Sequence, residues 1–192
     1  GIKSAGKIIA RALIEIGYEV FLTDEYPSLI KGGHNAVMIS FSPYPVYTIN
    51  REIDLLVCLD RETFDEHKGN LNSNSIVVHD PSNFKIVEKD LRDLAAEVVE
   101  LPLYELHSKS RMPNIVLNTF FISAAANLLG IQSEILKEVY KIILGDKKEA
   151  LDFNFKAIDI AYAGSQEYSG VRKHPDNRKA KKQKNSLFMT GN

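Results

Sequence analysis

Apolar residues near the start of the chain recur at helical spacing. One face of the predicted helix carries five of them: Ile8, Ile9, Ala12, Leu13 and Ile16. Gly17 follows directly, at a position where glycine commonly ends a helix. Residues 18–23 are rich in aromatic and β-branched side chains, which predicts a strand. The chain therefore opens with a helix that returns into a strand.

The middle of the chain contains several shorter apolar runs. Residues 36–41 and 46–49 are predicted to be strands, and the short segment between them indicates an antiparallel hairpin. Residues 53–60 are largely apolar, which is typical of a central strand buried on both faces. Residues 75–79 predict a further strand, and residues 91–99 predict an amphipathic helix.

Three helices are predicted near the end of the chain, after a link at residues 104–111. Their predicted ranges are residues 114–129, 133–144 and 147–163. Each follows or begins at a residue type common at helix starts: Pro113, Ser133 and Asp146. The helix over residues 114–129 is nearly all apolar, so we expect it to be buried.

This order of elements predicts an α/β fold: a three-layer, Rossmann-like sheet, mostly parallel with one antiparallel hairpin. A βαβ unit needs a strand before its first helix, and no residue precedes Gly1. We therefore expect a piece of a larger protein in which the first strand of the sheet is missing. An apolar segment that starts at Leu187 and stops at Asn192 leads to the same expectation at the other end.

Composition narrows the possible functions. The net charge is −1, which gives no reason to expect a nucleic-acid or membrane partner. The single cysteine, Cys58, excludes an intrachain disulfide and a cysteine-based iron–sulfur site, and it fits a reducing, cytoplasmic location. Residues 172–184 are strongly basic and predict a linker. We therefore divide the chain into a domain over residues 1–165 and a tail over residues 166–192.

Two glycine-bearing segments could together form an anion site. Residues 1–7 are predicted to be a turn ahead of the first helix, and residues 25–35 a loop between strands. Such loops gather beyond the carboxyl ends of strands, and a helix start presents backbone N–H groups and a partial positive charge. If the two segments meet, they surround a phosphorylated or otherwise anionic ligand. The residues concerned are Lys3, Ser4, Lys7, Ser28, Lys31, Gly32, Gly33 and Asn35.

Other interpretations stay open for this region. Asp24 and Glu25 stand about 20 residues after the first turn, where a dinucleotide-binding fold places an acidic residue. A nucleotide-binding or interaction-only module without enzymatic role is therefore the alternative. Asp60 precedes a short predicted helix, residues 62–68, and fits a cap better than a ribose contact. His34 fits a structural hydrogen bond, because nothing at metal-ligand spacing accompanies it. The remaining histidines are expected to be structural or solvated: His67, His79, His107 and His174.

Three motifs resemble one known family. They are Gly-Ile-Lys-Ser-Ala-Gly-Lys-Ile-Ile-Ala (1–10), Glu-Tyr-Pro-Ser-Leu-Ile-Lys-Gly-Gly-His-Asn (25–35) and Pro-Asn-Ile-Val-Leu-Asn (113–118). In this order they resemble the gamma domain of the 2-oxoacid:ferredoxin (acceptor) oxidoreductases, over roughly residues 1–165. Family members usually carry a Gly-x-Gly-Gly-Gln-Gly turn, and Gly1 looks like its last glycine. In one branch of the family the gamma domain precedes the alpha domain in a single chain, and the basic tail looks like that junction.

The resemblance implies a coenzyme A-dependent oxidative decarboxylation of a 2-oxoacid to an acyl-CoA, with electrons passed to ferredoxin. It places thiamine diphosphate, magnesium and iron–sulfur clusters in other domains or subunits, and it assigns coenzyme A to this domain. The implied partners are an alpha domain of the same chain, a thiamine-binding beta subunit and ferredoxin. The implied coenzyme A contacts are Gly1, Lys3, Ser4, Lys7, Ser28, Lys31, Gly32, Gly33 and Asn114.

Overall fold

The helices account for much of the protein. A computed structural model describes residues 1–25, 35–92, 94 and 96–168, and seven α-helices lie in these residues. They are α1 (Ile2–Glu15), α2 (Arg61–His67), α3 (Glu88–Arg92), α4 (Leu103–Ser110), α5 (Leu117–Leu128), α6 (Ser133–Leu144) and α7 (Lys148–Gly164). Short 3₁₀ helices occur at Lys68–Asn70, Asn114–Val116 and Gln166–Tyr168. Within the described ranges, no helix combines the length and apolar character needed to cross a membrane.

The strands of the described residues form two separate sheets. Strands β1 (Glu19–Glu25) and β2 (Ala36–Ser42) make an antiparallel hairpin. Strands β3 (Leu55–Cys58), β4 (Ile76–His79) and β5 (Glu97–Glu100) make a parallel sheet in the order β3–β4–β5. The α/β class with a parallel sheet and an antiparallel hairpin is therefore confirmed, but the described strands do not form the single sheet that we predicted.

Helix α1 packs its predicted apolar stripe against the hairpin and the C-terminal helices. Four stripe residues are buried and Ile16 is half-buried. Their buried partners come from α5, α6 and α7: Ile122, Ala126, Leu136, Val139, Tyr140 and Ile158. Gly17 ends the helix as predicted, with a φ of 96° that residues with a side chain rarely adopt.

The parallel sheet is covered on both faces. Because successive side chains of a strand point to opposite sides, Leu56 and Cys58 pack with Phe64 of α2, while Leu55 and Val57 pack on the other side. That second face lies against α5 and α7, whose contributions include Phe120, Phe121, Ala157 and Ala161. All four residues of β4 are buried.

A buried polar network joins α5 to the two helices that follow it. The hydroxyl of Tyr140 donates to Thr119 Oγ1 at 3.1 Å, and Thr119 in turn donates to Asn154 Oδ1 at 2.5 Å. Asn127 donates from Nδ2 to the carbonyl and the hydroxyl of Ser165, at 3.0 and 2.9 Å. These bonds satisfy groups that would be costly to bury alone. Burial raises the pKa of Tyr140 to about 12.

The predicted hairpin over residues 36–41 and 46–49 is wrong. Strand β2 pairs instead with β1, from Glu19 opposite Ser42 to Glu25 opposite Ala36. Residues 46–49 contain no strand. A strand tendency alone could not decide this, because it gives no information about which neighbour supplies the backbone hydrogen bonds.

The predicted central position of residues 53–60 is also wrong, because β3 lies at one edge of the parallel sheet and β4 lies in the middle. The apolar side chains of β3 reflect cover on its two faces, from α2 on one side and α5 on the other. Whether both faces of a strand are buried does not depend on whether the strand is central or at the edge of the sheet. The pattern of apolar residues indicates only the burial of the faces.

Residues 91–99 do not form the predicted helix. Helix α3 ends at Arg92, and residues 97–100 are strand β5. Val98 and Val99 look like neighbours on a helix, but they face opposite sides of the sheet, with Val98 near Phe64 and Val99 in the cluster of α5. β-branched residues favour the strand here because both sheet faces offer them burial.

The C-terminal helices agree with the prediction apart from their first residues. The predicted link over residues 104–111 is wrong, because α4 covers most of it. Ser133 is the first residue of α6 rather than its cap, which is Gln132. Lys147, not Asp146, is the N-cap of α7. The discrepancies at α6 and α7 concern helix starts, where local sequence is least decisive.

Candidate functional site

The candidate anion site begins at the N-terminus of α1. The predicted turn over residues 1–7 is wrong, because the helix already starts at Ile2 with Gly1 as its N-cap. Gly1 provides no side-chain cap, so backbone N–H groups of the first turn point outward from the helix start. Lys3, Ser4 and Lys7 are exposed, and Lys3 and Lys7 lie one helical turn apart on the same face.

The end of the β1–β2 hairpin at which Glu25 pairs with Ala36 lies beside this helix start. Lys3 Nζ is 3.5 Å from Asp24 Oδ2, and Asp24 is the strand partner of Val37. Glu25 is paired with Ala36, so residues 25 and 36 flank the segment in between. Both ends of the second glycine-bearing segment therefore start next to the first turns of α1.

The same end of the hairpin also approaches α2. Glu25 Oε2 is 3.9 Å from His67 Nε2, and His67 is buried at the end of α2. The hairpin end is thus held by ionisable contacts on two sides, from Lys3 and from His67. Glu25 therefore has a defined position at the end of β1.

Four of the predicted contacts lie outside the described residues. These are Ser28, Lys31, Gly32 and Gly33, and His34 lies there as well. Of the described candidates, Gly1, Lys3, Ser4 and Lys7 are brought together by the first turns of α1. All nine assignments stay predictions.

Asn114 belongs to a different part of the protein. It is exposed at the start of the 3₁₀ helix that precedes α5, and Val116 of that helix packs with the parallel sheet. Helix α1 contacts α5 further along, at Ile122 and Ala126. The described contacts therefore do not link Asn114 to the N-terminus of α1.

The acidic residues of the alternative interpretation have defined roles in the structure. Asp60 caps α2, with Oδ1 accepting from Thr63 N at 2.7 Å and from Thr63 Oγ1 at 2.8 Å. This confirms its prediction as a cap. Asp24 stands at the end of β1 as a dinucleotide fold would require, but its carboxylate faces Lys3. An ion pair with Lys3 leaves this carboxylate less suited to a ribose hydroxyl.

The carboxyl end of the parallel sheet holds two polar residues, His79, which was expected to be structural or solvated, and Asp80, to which the sequence analysis gave no role. Asp80 is buried directly after β4 and accepts from Ser82 N at 2.8 Å, Ser82 Oγ at 2.5 Å and Tyr104 N at 2.7 Å. His79 is buried too, with Nδ1 at 3.2 Å from the carbonyl oxygen of Phe84 and Nε2 at 3.6 Å from Glu100. Their signal in the sequence is a His-Asp pair that directly follows an apolar run. Both residues organise the fold at this edge.

Within the described part of the chain, no three His, Cys, Asp or Glu side chains are grouped so that they could hold a metal ion. Cys58 is buried in β3, and burial raises the pKa of its thiol to about 12. A thiol with that pKa is protonated at neutral pH, which disfavours a role as a nucleophile.

Comparison with known proteins identifies the family of this chain. The family described as pyruvate ferredoxin/flavodoxin oxidoreductase matches residues 1–164. The alpha subunit of 2-oxoacid:ferredoxin oxidoreductase 2 from Aeropyrum pernix is 24% identical over 200 residues, covering 84% of this chain and 31% of that protein. A 2-oxoacid:ferredoxin oxidoreductase alpha subunit from a Sulfolobus species is 37% identical over 67 residues, covering 35% of this chain and 11% of its own length. The chain thus spans about a third of the Aeropyrum relative and less of the other.

Solved structures with this fold come from the same group of proteins. The 2-oxoglutarate:ferredoxin oxidoreductase from Magnetococcus marinus, with 2-oxoglutarate, coenzyme A and succinyl-CoA bound, has a TM-score of 0.76 at 25% identity, over 87% of this chain and 29% of its own. The gamma subunit of a keto/oxoacid ferredoxin oxidoreductase from Geobacter sulfurreducens has a TM-score of 0.65 at 18% identity, over 85% and 90% of the two chains, and shows the same fold. With the family match over residues 1–164, these similarities confirm the resemblance: the chain belongs to the pyruvate ferredoxin/flavodoxin oxidoreductase family.

Proposed function

We propose that this chain is the gamma-type, coenzyme A-holding domain of a 2-oxoacid:ferredoxin oxidoreductase. The complete enzyme would decarboxylate a 2-oxoacid oxidatively, transfer the acyl group to coenzyme A and pass the electrons to ferredoxin. Residues 1–165 would form this domain, and residues 166–192 would lead into an alpha domain.

One observation supports the coenzyme A assignment above the others. Asp24 stands 3.5 Å from Lys3, so the hairpin end lies at the N-terminus of α1. The first turns of α1 and the hairpin end, where the second glycine-bearing segment begins about twenty residues later in the sequence, therefore lie side by side. The Magnetococcus relative, which has this fold, binds coenzyme A.

The chemistry of the helix start suits the phosphates of coenzyme A. A pyrophosphate or a 3′-phosphate accepts hydrogen bonds from N–H groups at a helix start and from lysine side chains. Lys7 is exposed one turn beyond Lys3 and adds positive charge on the same face. The carboxylate of Asp24 offsets part of the charge of Lys3 and so reduces the attraction of Lys3 for an anionic ligand.

The predicted contacts divide into two groups. The helix start would contribute Gly1, Lys3, Ser4 and Lys7, and the second segment would contribute Ser28, Lys31, Gly32 and Gly33. Asn114 is proposed only as a peripheral contact, because its described neighbours belong to the parallel sheet.

The remaining cofactors are proposed to lie elsewhere in the assembly. Thiamine diphosphate with magnesium would be held between the alpha domain and a beta subunit, and iron–sulfur clusters would lie in other subunits or domains. Thiamine diphosphate supplies carbanion stabilisation when bound. The part assigned to this chain is to bind and orient coenzyme A, and to pack against the alpha domain.

Reversing one charge tests the proposal. In the full-length protein with its partner subunits, Lys31→Glu should raise the coenzyme A concentration needed for half-maximal acyl-CoA formation by about tenfold or more, since a repulsive charge replaces an attractive one. Decarboxylation in single-turnover experiments without coenzyme A should be unchanged. Lys148→Glu, an exposed position at the start of α7, is the matched control. An unchanged coenzyme A requirement for Lys31→Glu would remove this residue from the site.

A further inference from the structure

Gly6 marks the closest approach between α1 and the hairpin. It is buried in the second turn of the helix. A Cβ at this position would lie 2.3 Å from Val37 Cγ1, 3.1 Å from Val37 Cβ and 3.4 Å from Val37 Cγ2. Two carbon atoms cannot approach to 2.3 Å without a bond, so any larger residue would push the helix and the strand apart.

Val37 has little freedom to move away. It lies in β2 and is paired with Asp24 of β1 along a ladder that runs for the whole length of both strands. Its side chain is β-branched, which restricts χ1 to few rotamers. The space at Gly6 is therefore limited by the side chain of Val37, which has few rotamers and is carried by a paired strand.

The contact sits directly beneath the candidate site. Lys3 lies one helical turn before Gly6 on the same side of α1, and its partner Asp24 is the strand neighbour of Val37. Gly6 and Val37 therefore fix the distance at which Lys3 meets the hairpin end. A glycine in a helix interior destabilises the helix relative to alanine, so the residue is unfavourable here except for the close packing that it allows.

We propose that Gly6 is a positioning residue for the anion site, holding the N-terminus of α1 against the end of the β1–β2 hairpin. The inference rests on the proposed coenzyme A-holding function and adds to it a residue that touches no ligand. It acts through the spacing between Lys3 and the hairpin end. Val37 is its partner in that role.

The test measures coenzyme A binding to Gly6→Ala by titration calorimetry, using the full-length protein. We expect the Kd to rise about tenfold, because the methyl group separates the helix start from the hairpin. The double variant Gly6→Ala with Val37→Ala should recover most of this loss, since removing the two γ carbons of Val37 makes room for the added methyl group. Val37→Ala alone should raise the Kd less than Gly6→Ala does, because it leaves space at the contact instead of a steric clash.

Gly164→Ala is the matched control. It adds the same methyl group at another crowded glycine, where a Cβ would lie 2.5 Å from Leu106 Cδ1. Gly164 ends α7, and Leu106 packs against the cluster of the parallel sheet. This variant should lower thermal stability while leaving the Kd for coenzyme A within about twofold of the unsubstituted protein.

The outcomes separate the inference from the function beneath it. If the unsubstituted protein does not bind coenzyme A, the proposed function fails. If it binds and Gly6→Ala binds equally well, or if Gly164→Ala weakens binding as much as Gly6→Ala does, the positioning role is wrong. Should Gly6→Ala not fold, Val37→Ile crowds the same contact from the strand side, and it should weaken binding in the same direction; unchanged binding would overturn the inference.

Discussion

The hairpin and the parallel sheet differ in how deeply their strands are buried. No residue of β1 or β2 is fully buried, whereas every residue of β4 is. The hairpin is covered by α1, and the parallel sheet has α2 on one face and α5 and α7 on the other. The fully buried strand residues thus belong to the parallel sheet. The exposed cationic groups of the candidate site belong to α1, beside the hairpin.

Polar residues follow the same division. Around the sheet, buried groups such as Asp80 have several hydrogen-bond partners, while beside the hairpin the exposed Lys3 forms an ion pair with Asp24, whose side chain is partly buried. Buried hydrogen-bonded groups specify a fold, and exposed charges remain available to a ligand. The comparison shows that deep burial is concentrated at the parallel sheet, while the exposed charges of the candidate site lie beside the hairpin end.

The largest expected difference comes from removing one aromatic ring in each region. Phe120 of α5 is fully buried against the sheet and contacts His107 edge-on at 5.5 Å, whereas Phe21 of β1 is 36% exposed. Phe120→Ala should lower the free energy of unfolding by about 3–5 kcal/mol. Phe21→Ala should lower it by about 1 kcal/mol or less. Urea unfolding of both variants checks this, and equal losses would contradict the comparison.

Asp80→Asn should have the next largest effect. Both carboxylate oxygens of Asp80 accept hydrogen bonds. In asparagine the NH₂ group would replace one of these oxygens and would therefore face a backbone N–H donor. We expect a loss of about 2 kcal/mol in unfolding free energy. Asp60→Asn is the control, because Oδ1 alone accepts both bonds from Thr63 and an amide oxygen can replace it. Similar losses for the two variants would show that the second oxygen of Asp80 is unimportant.

A pH effect is expected at Arg61, whose guanidinium forms paired hydrogen bonds with Asp65 and with Asp90. These bonds lower the pKa of both carboxyl groups from 3.8 to about 2. Because the folded pKa lies below the unfolded one, the ionised form is stabilised. The contribution is complete above pH 4 and is lost as the pH falls from about 4 to about 2.

Unfolding free energies measured across that pH range check the sign. Asp90→Asn should reduce the steepness of the acid-induced loss, and at neutral pH it should cost up to about 1 kcal/mol. Arg61→Lys should lie between the two proteins, since lysine cannot make paired hydrogen bonds to a carboxylate. A slope that is equally steep in Asp90→Asn would rule out this ion pair as its cause.

The smallest effect is expected at Lys3 and Asp24. A double-mutant cycle with Lys3→Ala and Asp24→Asn should give a coupling free energy of a few tenths of a kcal/mol, decreasing at high salt, because Lys3 is exposed and its atoms lie 3.5 Å from Asp24. The pair of Lys141 and Glu138 on α6, with its atoms 2.5 Å apart, provides a comparison within one helix. A coupling above about 1 kcal/mol would place Lys3 in a fixed structural role and weaken the proposed ligand contact.

The parts of the fold that the sequence predicted well are those with a long, repeated local pattern. Helices α5, α6 and α7 each extend for at least three turns with apolar residues at helical spacing, and their limits were predicted to within about three residues. Helix α4 was missed because a distant residue defines its start. Asp80, 24 positions earlier, accepts from Tyr104 N.

The candidate site was predictable to a similar extent. The positive charges at Lys3 and Lys7 and the second glycine-bearing segment were visible in the sequence, and the structure brings the ends of that segment to α1. The packing role of Gly6 was not recognised, although its place on the buried stripe with Ile9 and Leu13 was a signal. Which neighbour crowds a glycine depends on strand pairing, and a single sequence does not show that pairing.

The single thiol in β3 can serve as a probe of how often this domain opens. Because Cys58 is buried and its pKa is raised to about 12, an alkylating reagent at neutral pH reacts with it only after the surrounding sheet has opened. The rate of alkylation therefore measures how often the parallel sheet opens, and motions confined to the hairpin do not change it. Coenzyme A bound at the hairpin end would slow that reaction only to the extent that the two regions open together.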